Sequence, residues 1–224
     1  EIASCLVGSE MCIRDRDIYQ PEKLQEQPNV IVIMNEGFAD LEEIYKLTPS
    51  EDPLKYWHSL KENTISGDMR VSIYGGGTSF TEFEFLTGIA GGMVNFNQTP
   101  YVNLIKGDTP SLAWDFKNAG YKTLAIHPFW SSSWNRANVY PRLGFDEFIS
   151  GEDFSSGESK VSISSPDEGS SVLSFEDAIM QNSSFGDDLE YIREYISDRE
   201  SYKKVIEQFE NKQEDDKLFI FNVT

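Results

Sequence analysis

Asn29-Val30-Ile31-Val32-Ile33-Met34-Asn35-Glu36-Gly37-Phe38 is the stretch on which the fold turns. Residues 30–34 form an unbroken apolar run rich in β-branched side chains. That pattern predicts a strand buried on both faces, as in a parallel sheet. Parallel strands need crossover connections, so similar runs should recur with helices between them. They do. Tyr121 to Ile126 is a second such run, and Lys217 to Thr224 is a third. Before the second, Ser111 is placed to cap a helix over Leu112–Asn118, with Gly120 to stop it. The expected class is α/β, a mostly parallel sheet with helices on both faces.

In such sheets ligands sit outside the carboxyl ends of the strands. The first strand runs into Glu36, a carboxylate beside Gly37 and a candidate metal ligand. Standing alone, it reads better as a loop acid at a strand end. The second strand runs into His127, with Trp134-Asn135-Arg136 close behind. Between them lies Gly75-Gly76-Gly77-Thr78-Ser79-Phe80-Thr81-Glu82-Phe83-Glu84-Phe85-Leu86-Thr87-Gly88. Glycines permit a sharp turn and a close backbone approach. A helix N-terminus then presents free N–H groups and a positive dipole end to an anion. Thr78 is thus either a nucleophile facing that anion or a simple N-cap. A divalent cation on Glu36 would lower the pKa of the Thr78 hydroxyl and prepare it to attack phosphorus. Arg136 can grip a phosphate oxygen, His127 can hydrogen-bond the substrate, and Trp134 can wall the pocket. The plain alternatives are a surface ion pair for Arg136 and a core aromatic for Trp134.

The 224 residues carry 38 acids against 19 lysines and arginines, a net charge of −19. This argues against a nucleic-acid partner, whose phosphates need a basic face. It leaves room for a small anion in a local pocket. No apolar run is long enough to cross a bilayer and no signal-peptide pattern is present, so the chain as written is expected to be soluble. Residues 1–16 resemble the conceptual translation of a transposon-type sequencing adapter and are set aside as an artefact. Both cysteines, Cys5 and Cys12, lie there, so no disulfide framework or cysteine metal site is expected. Residues 17–28 read as a linker and 29–224 as one catalytic-domain segment, with a serine-rich insert over 155–174. Residues 39–62 read as helical in pieces, with His58 a surface or packing histidine. Thr64 to Tyr74 reads as a strand, 89–109 as loop, and 188–210 as an acidic helical stretch with a restart at Ser197-Asp198.

The strand at 29–38, the Thr-Ser-x-x-Glu-Phe run at 78–83, the helix and strand from Ser111 to His127, and Trp134-Asn135-Arg136 together resemble one family. It is the lipoteichoic acid synthase-like branch of the sulfatase and alkaline phosphatase superfamily, and the resemblance covers nearly all of 28–224. It implies a sulfatase-like fold and Glu36 as a metal ligand, usually to manganese. It implies Thr78 as both nucleophile and ligand, and His127, Trp134 and Arg136 as the residues that hold glycerol phosphate. The implied reaction moves glycerol phosphate from phosphatidylglycerol through a phosphothreonine intermediate, for a lipoteichoic-acid-like envelope polymer, at the extracellular face of the membrane. Phe129 departs from the pattern, since synthases often have an acid there. The family's later Asn-His and Asp-His motifs and its membrane helices are not among these residues. The expectation is therefore an N-terminal part of the domain, inactive alone, with at most two metal ligands and membrane attachment through other segments. A formylglycine sulfatase is not expected, because no Cys-x-Pro-Ser-Arg motif occurs. A sulfatase-like phosphodiesterase and a non-catalytic envelope-binding domain of the same fold are the alternatives.

Overall fold

The computed structural model describes residues 27–35, 37–73, 75–94, 98–155 and 185–224. The adapter-like residues, Glu36, Tyr74 and most of the serine-rich insert therefore lie outside the described residues. Four parallel strands form the sheet: β1 (Val30–Met34), β2 (Lys122–His127), β3 (Glu147–Ser150) and β6 (Leu218–Val223), in the order β1-β6-β2-β3. Two-residue strands β4 (Tyr191–Ile192) and β5 (Tyr195–Ile196) make a small antiparallel hairpin. The helices are α1 (Leu41–Tyr45), α2 (Lys55–Ser59), α3 (Thr78–Thr87), α4 (Pro100–Asn103), α5 (Leu112–Asn118), α6 (Arg136–Arg142) and α7 (Asp198–Glu210).

β6 occupies the centre, and all six of its residues are buried. Side chains alternate between faces along a strand, so Phe219, Phe221 and Val223 enter one core while Leu218 and Ile220 enter the other. The first core adds Ala125 of β2, Phe83 and Leu86 of α3, Tyr101 of α4 and Val139 and Tyr140 of α6. The second adds Leu124 and Ile126 of β2 and Val205 of α7. Helices thus cover both faces, as the strand composition implied. Each fully buried phenyl ring in this sheet contributes up to about 3 kcal/mol. Within the first core Phe116 stacks on Phe219 with ring centres 4.3 Å apart. On the second, the buried amide of Asn222 is held by Ser201 of α7, whose hydroxyl donates to Oδ1 at 2.7 Å.

Several local readings meet their physical cause. Ser111 caps α5 by accepting from the Trp114 N–H at 3.3 Å, and Gly120 follows the helix in the left-handed region at φ +88°. Ser197 caps α7 in the same way, accepting from Glu200 N–H, but the hairpin β4–β5 takes residues 191–196 that were expected to be helical. The loop read at 89–109 contains α4, opened by Pro100 at the first turn. Two readings are corrected. β1 is covered on one face only, and there in part: Val30, Val32 and Met34 are partly buried against the first core, while Ile31 and Ile33 are 41% and 47% exposed on the other face. Residues 64–73 form no strand. Residues 64–72 are exposed, and Ser72 donates its hydroxyl to Glu84 of α3 at 2.6 Å.

Candidate active site

Three consecutive glycines, Gly75, Gly76 and Gly77, have φ of +60°, +66° and +91°. An L-residue pays about 1–2 kcal/mol in that region, which is why the chain reverses here on glycine. A Cβ on Gly77 would also sit 3.1 Å from Ile73 Cγ2. The turn delivers Thr78 as the first residue of α3, with Gly77 in the cap position. Thr78 is therefore not the capping residue of the plain reading. It is 8% exposed, at the end where N–H groups lack intrahelical acceptors. Next to it the Ser79 hydroxyl is buried without a hydrogen-bond partner.

One turn further along α3 stands Glu82, fully buried among Phe80, Phe83 and Leu86. Its partner is Arg136, 1% exposed at the start of α6. Arg136 Nη2 donates to Glu82 Oε1 at 2.6 Å and Nε donates to the same oxygen at 3.2 Å. Tyr140, four residues later on α6, donates its hydroxyl to Glu82 Oε2 at 2.7 Å. Nη1 of Arg136 donates to the Ser133 carbonyl at 3.3 Å. A guanidinium has five N–H groups. These bonds engage Nε and one hydrogen on each terminal nitrogen, and Tyr140 is a further hydrogen-bonding neighbour of the guanidinium. Burial works against the charge on Arg136, but the Glu82 carboxylate outweighs it and keeps the group protonated.

The turn before Arg136 is strained. Trp134 and Asn135 both lie in the left-handed region, at φ +54° and +64°, without being glycine. Hydrogen bonds hold them there: Asn135 Nδ2 donates to the Tyr101 carbonyl at 3.0 Å, and Asn138 Nδ2 donates to Asn135 Oδ1 at 2.8 Å. The Trp134 side chain packs, partly buried, against the first core.

His127 ends β2 on the same face as Ala125, the face that carries Arg136. Its Nδ1 lies 3.0 Å from the Val223 carbonyl oxygen. A carbonyl only accepts, so Nδ1 carries the proton and Nε2 presents its lone pair. Burial, then the positive charge of Arg136, hold the imidazole well below its ordinary pKa, so it is neutral at pH 7. The ends of β1, β6 and β2 are consecutive in the sheet. The end of β1 and His127 therefore stand two strand spacings apart, about 10 Å. Asn35 at the end of β1 is pinned by the hydroxyls of Tyr202 at 2.7 Å and Thr224 at 3.1 Å.

The structure brings His127 and Arg136 together, and one helix links Thr78 to the partner of Arg136. Glu36 lies outside the described residues. Among the described residues no group of three or more His, Cys, Asp and Glu could hold a metal ion. The Thr78 hydroxyl is one oxygen donor, and the described residues do not complete a metal centre around it. Glu82 and Tyr140 were not singled out in the sequence. The available signal was an acid four residues after Thr78, on a stretch whose neighbours Phe80, Phe83 and Leu86 are apolar.

A family model described as Sulfatase matches residues 28–224. A putative cyclic beta-1,2-glucan modification protein of Rhizobium meliloti is 38% identical over 126 residues, 56% of this chain and 19% of that protein. The solved structure of the Streptococcus pyogenes phosphoglycerol transferase GacH, in complex with sn-glycerol-1-phosphate, superposes on 100% of this chain and 50% of its own, with a TM-score of 0.65 and 20% identity. The lipoteichoic acid synthase LtaP of Listeria monocytogenes aligns over 69% of this chain and 29% of its own, with a TM-score of 0.46 and 19% identity. The chain thus spans half or less of the length of each of these proteins.

Proposed function

The chain belongs to the sulfatase family, and from that premise we propose that it carries the nucleophile and the phosphate grip of a phosphoglycerol transferase. The observation that carries this reading is the buried Arg136, held by Glu82 on the helix that Thr78 begins, whose terminal nitrogens carry N–H donors beyond the one that Glu82 takes. A buried guanidinium with unengaged donors is costly unless a ligand or water meets them. The likeness to a transferase solved with glycerol phosphate supports the same ligand class.

In this mechanism the Thr78 oxygen attacks phosphorus of a phosphatidylglycerol-type lipid. The bond from phosphorus to the diacylglycerol oxygen breaks, and that oxygen leaves with a proton. Glycerol phosphate is then carried on Thr78 until an acceptor hydroxyl displaces it, restoring the threonine. The free N–H groups at the start of α3 and those of Arg136 face the developing charge. His127, neutral, accepts a hydrogen bond at Nε2 from a glycerol hydroxyl, and Trp134 walls the pocket. Glu36 and Thr78 are the proposed ligands of a divalent cation, manganese in this reading, with the others supplied by sequence outside these 224 residues. In this reading the reaction takes place at the outer face of the cell membrane. No helix among the described residues is long and apolar enough to cross it. The relative named for glucan modification favours a sugar hydroxyl as acceptor over a growing glycerol-phosphate polymer. A sulfatase-like hydrolase would use water in that step.

The test is mass spectrometry of the Thr78 peptide after the complete protein is incubated with a phosphatidylglycerol analogue and manganese. A glycerol-phosphate adduct on Thr78, lost in Thr78→Ala while the circular dichroism is unchanged, is the expected result. Turnover that survives Thr78→Ala refutes the reading. Product analysis separates glycosylated or polymeric glycerol phosphate from the free ester that hydrolysis gives.

A further inference from the structure

We propose that Glu82 is a positioning residue that registers the Arg136 guanidinium against the Thr78 hydroxyl through a single turn of α3. The inference rests on the reading of Arg136 as the residue that grips phosphate.

Residues four apart on a helix share a face, one turn or about 6 Å along the axis. Thr78 and Glu82 are so placed, and both are buried. Arg136 comes from a different element, beginning α6 after the strained Trp134-Asn135 turn. Its long side chain has many rotamers, which its partners must narrow. Glu82 does this by binding Nε and Nη2 along one edge, at 3.2 and 2.6 Å. A planar fork gripped on one edge cannot swing, so its terminal N–H groups keep one direction. Glu82 is held in turn, because Tyr140 donates to its second oxygen. The nucleophile and the phosphate grip are then set by the same rigid helix, and preorganised donors of this kind act without rearranging at the moment of reaction. A merely structural ion pair would stabilise the fold and leave ligand affinity in the folded protein alone.

The probe is sn-glycerol 1-phosphate titrated into the chain, followed through the arginine Nε–Hε signals. Measurements are made well below the melting temperature of every variant. Arg136→Lys is expected to weaken binding tenfold or more, since lysine cannot reproduce the fork. Folded Glu82→Gln is expected to weaken it about fivefold and to collapse the separately resolved terminal N–H signals of Arg136 into one. In an Arg136→Lys background Glu82→Gln should add nothing, because it acts through the guanidinium. Wild-type affinity in folded Glu82→Gln, or losses that multiply in the double variant, overturns the inference. If Glu82→Gln does not fold, Tyr140→Phe decides. It should weaken binding about threefold in the wild-type background and not at all beside Arg136→Lys, and wild-type affinity overturns the inference. Arg136→Lys binding like wild type, or a wild-type chain that does not bind the probe, overturns the reading of the site itself and this inference with it.

Discussion

The two histidines of the chain are expected to move stability with pH in opposite directions, and His127 offers the quantitative test. Its imidazole is neutral in the folded protein, with burial and the Arg136 charge holding its pKa well below the usual value near 6.5. The unfolded chain therefore binds a proton at a pH where the folded one does not. Stability must fall as pH drops below about 6.5, approaching about 1.4 kcal/mol per pH unit, until the folded-state pKa is reached. Between about pH 8 and pH 5 the His127 contribution to this fall is at most about 2 kcal/mol, the limit set by the unfolded-state pKa. That corresponds to roughly 4–8 °C in melting temperature for a chain of this size. Other groups titrate over the same range, so the useful quantity is a difference. His127→Asn places an amide N–H where Nδ1 donates to the Val223 carbonyl and removes the titration. Urea unfolding of both proteins across that range, read by far-UV circular dichroism, gives the stability gap at each pH. The gap should shift in favour of the variant at the acid end, by up to about 2 kcal/mol. Parallel curves for the two proteins would refute the assignment of His127 as a buried neutral imidazole.

Three further outcomes follow from the geometry. His58 donates from both ring nitrogens, to Asp40 at 2.7 Å and Asp52 at 2.9 Å, and its pKa is raised to about 9, first by the Asp40 hydrogen bond. Its contribution is fully present below about 6.5 and is lost as pH rises through about 9, so fluorescence from Trp57, edge-to-face with Phe38 at 5.4 Å, should change with that midpoint and not do so in His58→Gln. Arg136→Met leaves Glu82 charged and buried and should cost about 3–5 kcal/mol in urea unfolding, while adding Glu82→Leu should recover most of it. Gly144→Ala puts a Cβ 2.7 Å from Trp114 Cγ and 2.9 Å from its backbone nitrogen at φ +97°, and should destabilise by about 3 kcal/mol or more in thermal melts.

The sequence by itself determined the parts whose cause is local. Continuous β-branched and aromatic runs marked β1, β2 and β6, because only strands in a covered parallel sheet can bury every second side chain on each face. Ser111 and Gly120 bounded α5, and the triple glycine marked the reversal before Thr78, since a capping hydroxyl and a missing Cβ act within a few residues. Long-range pairing was not legible. Residues 64–73 alternate like a strand yet pair with no described strand, and β1 reads as doubly buried while Ile31 and Ile33 stay exposed, because pairing and burial depend on which elements lie opposite. The Glu82–Arg136–Tyr140 network joins residues 54 and 58 positions apart, and no periodicity encodes such a meeting. Tertiary structure alone turned an acid in a helix into the clamp on a buried guanidinium, because an ion pair with no water around it forms only where two separate elements close over it.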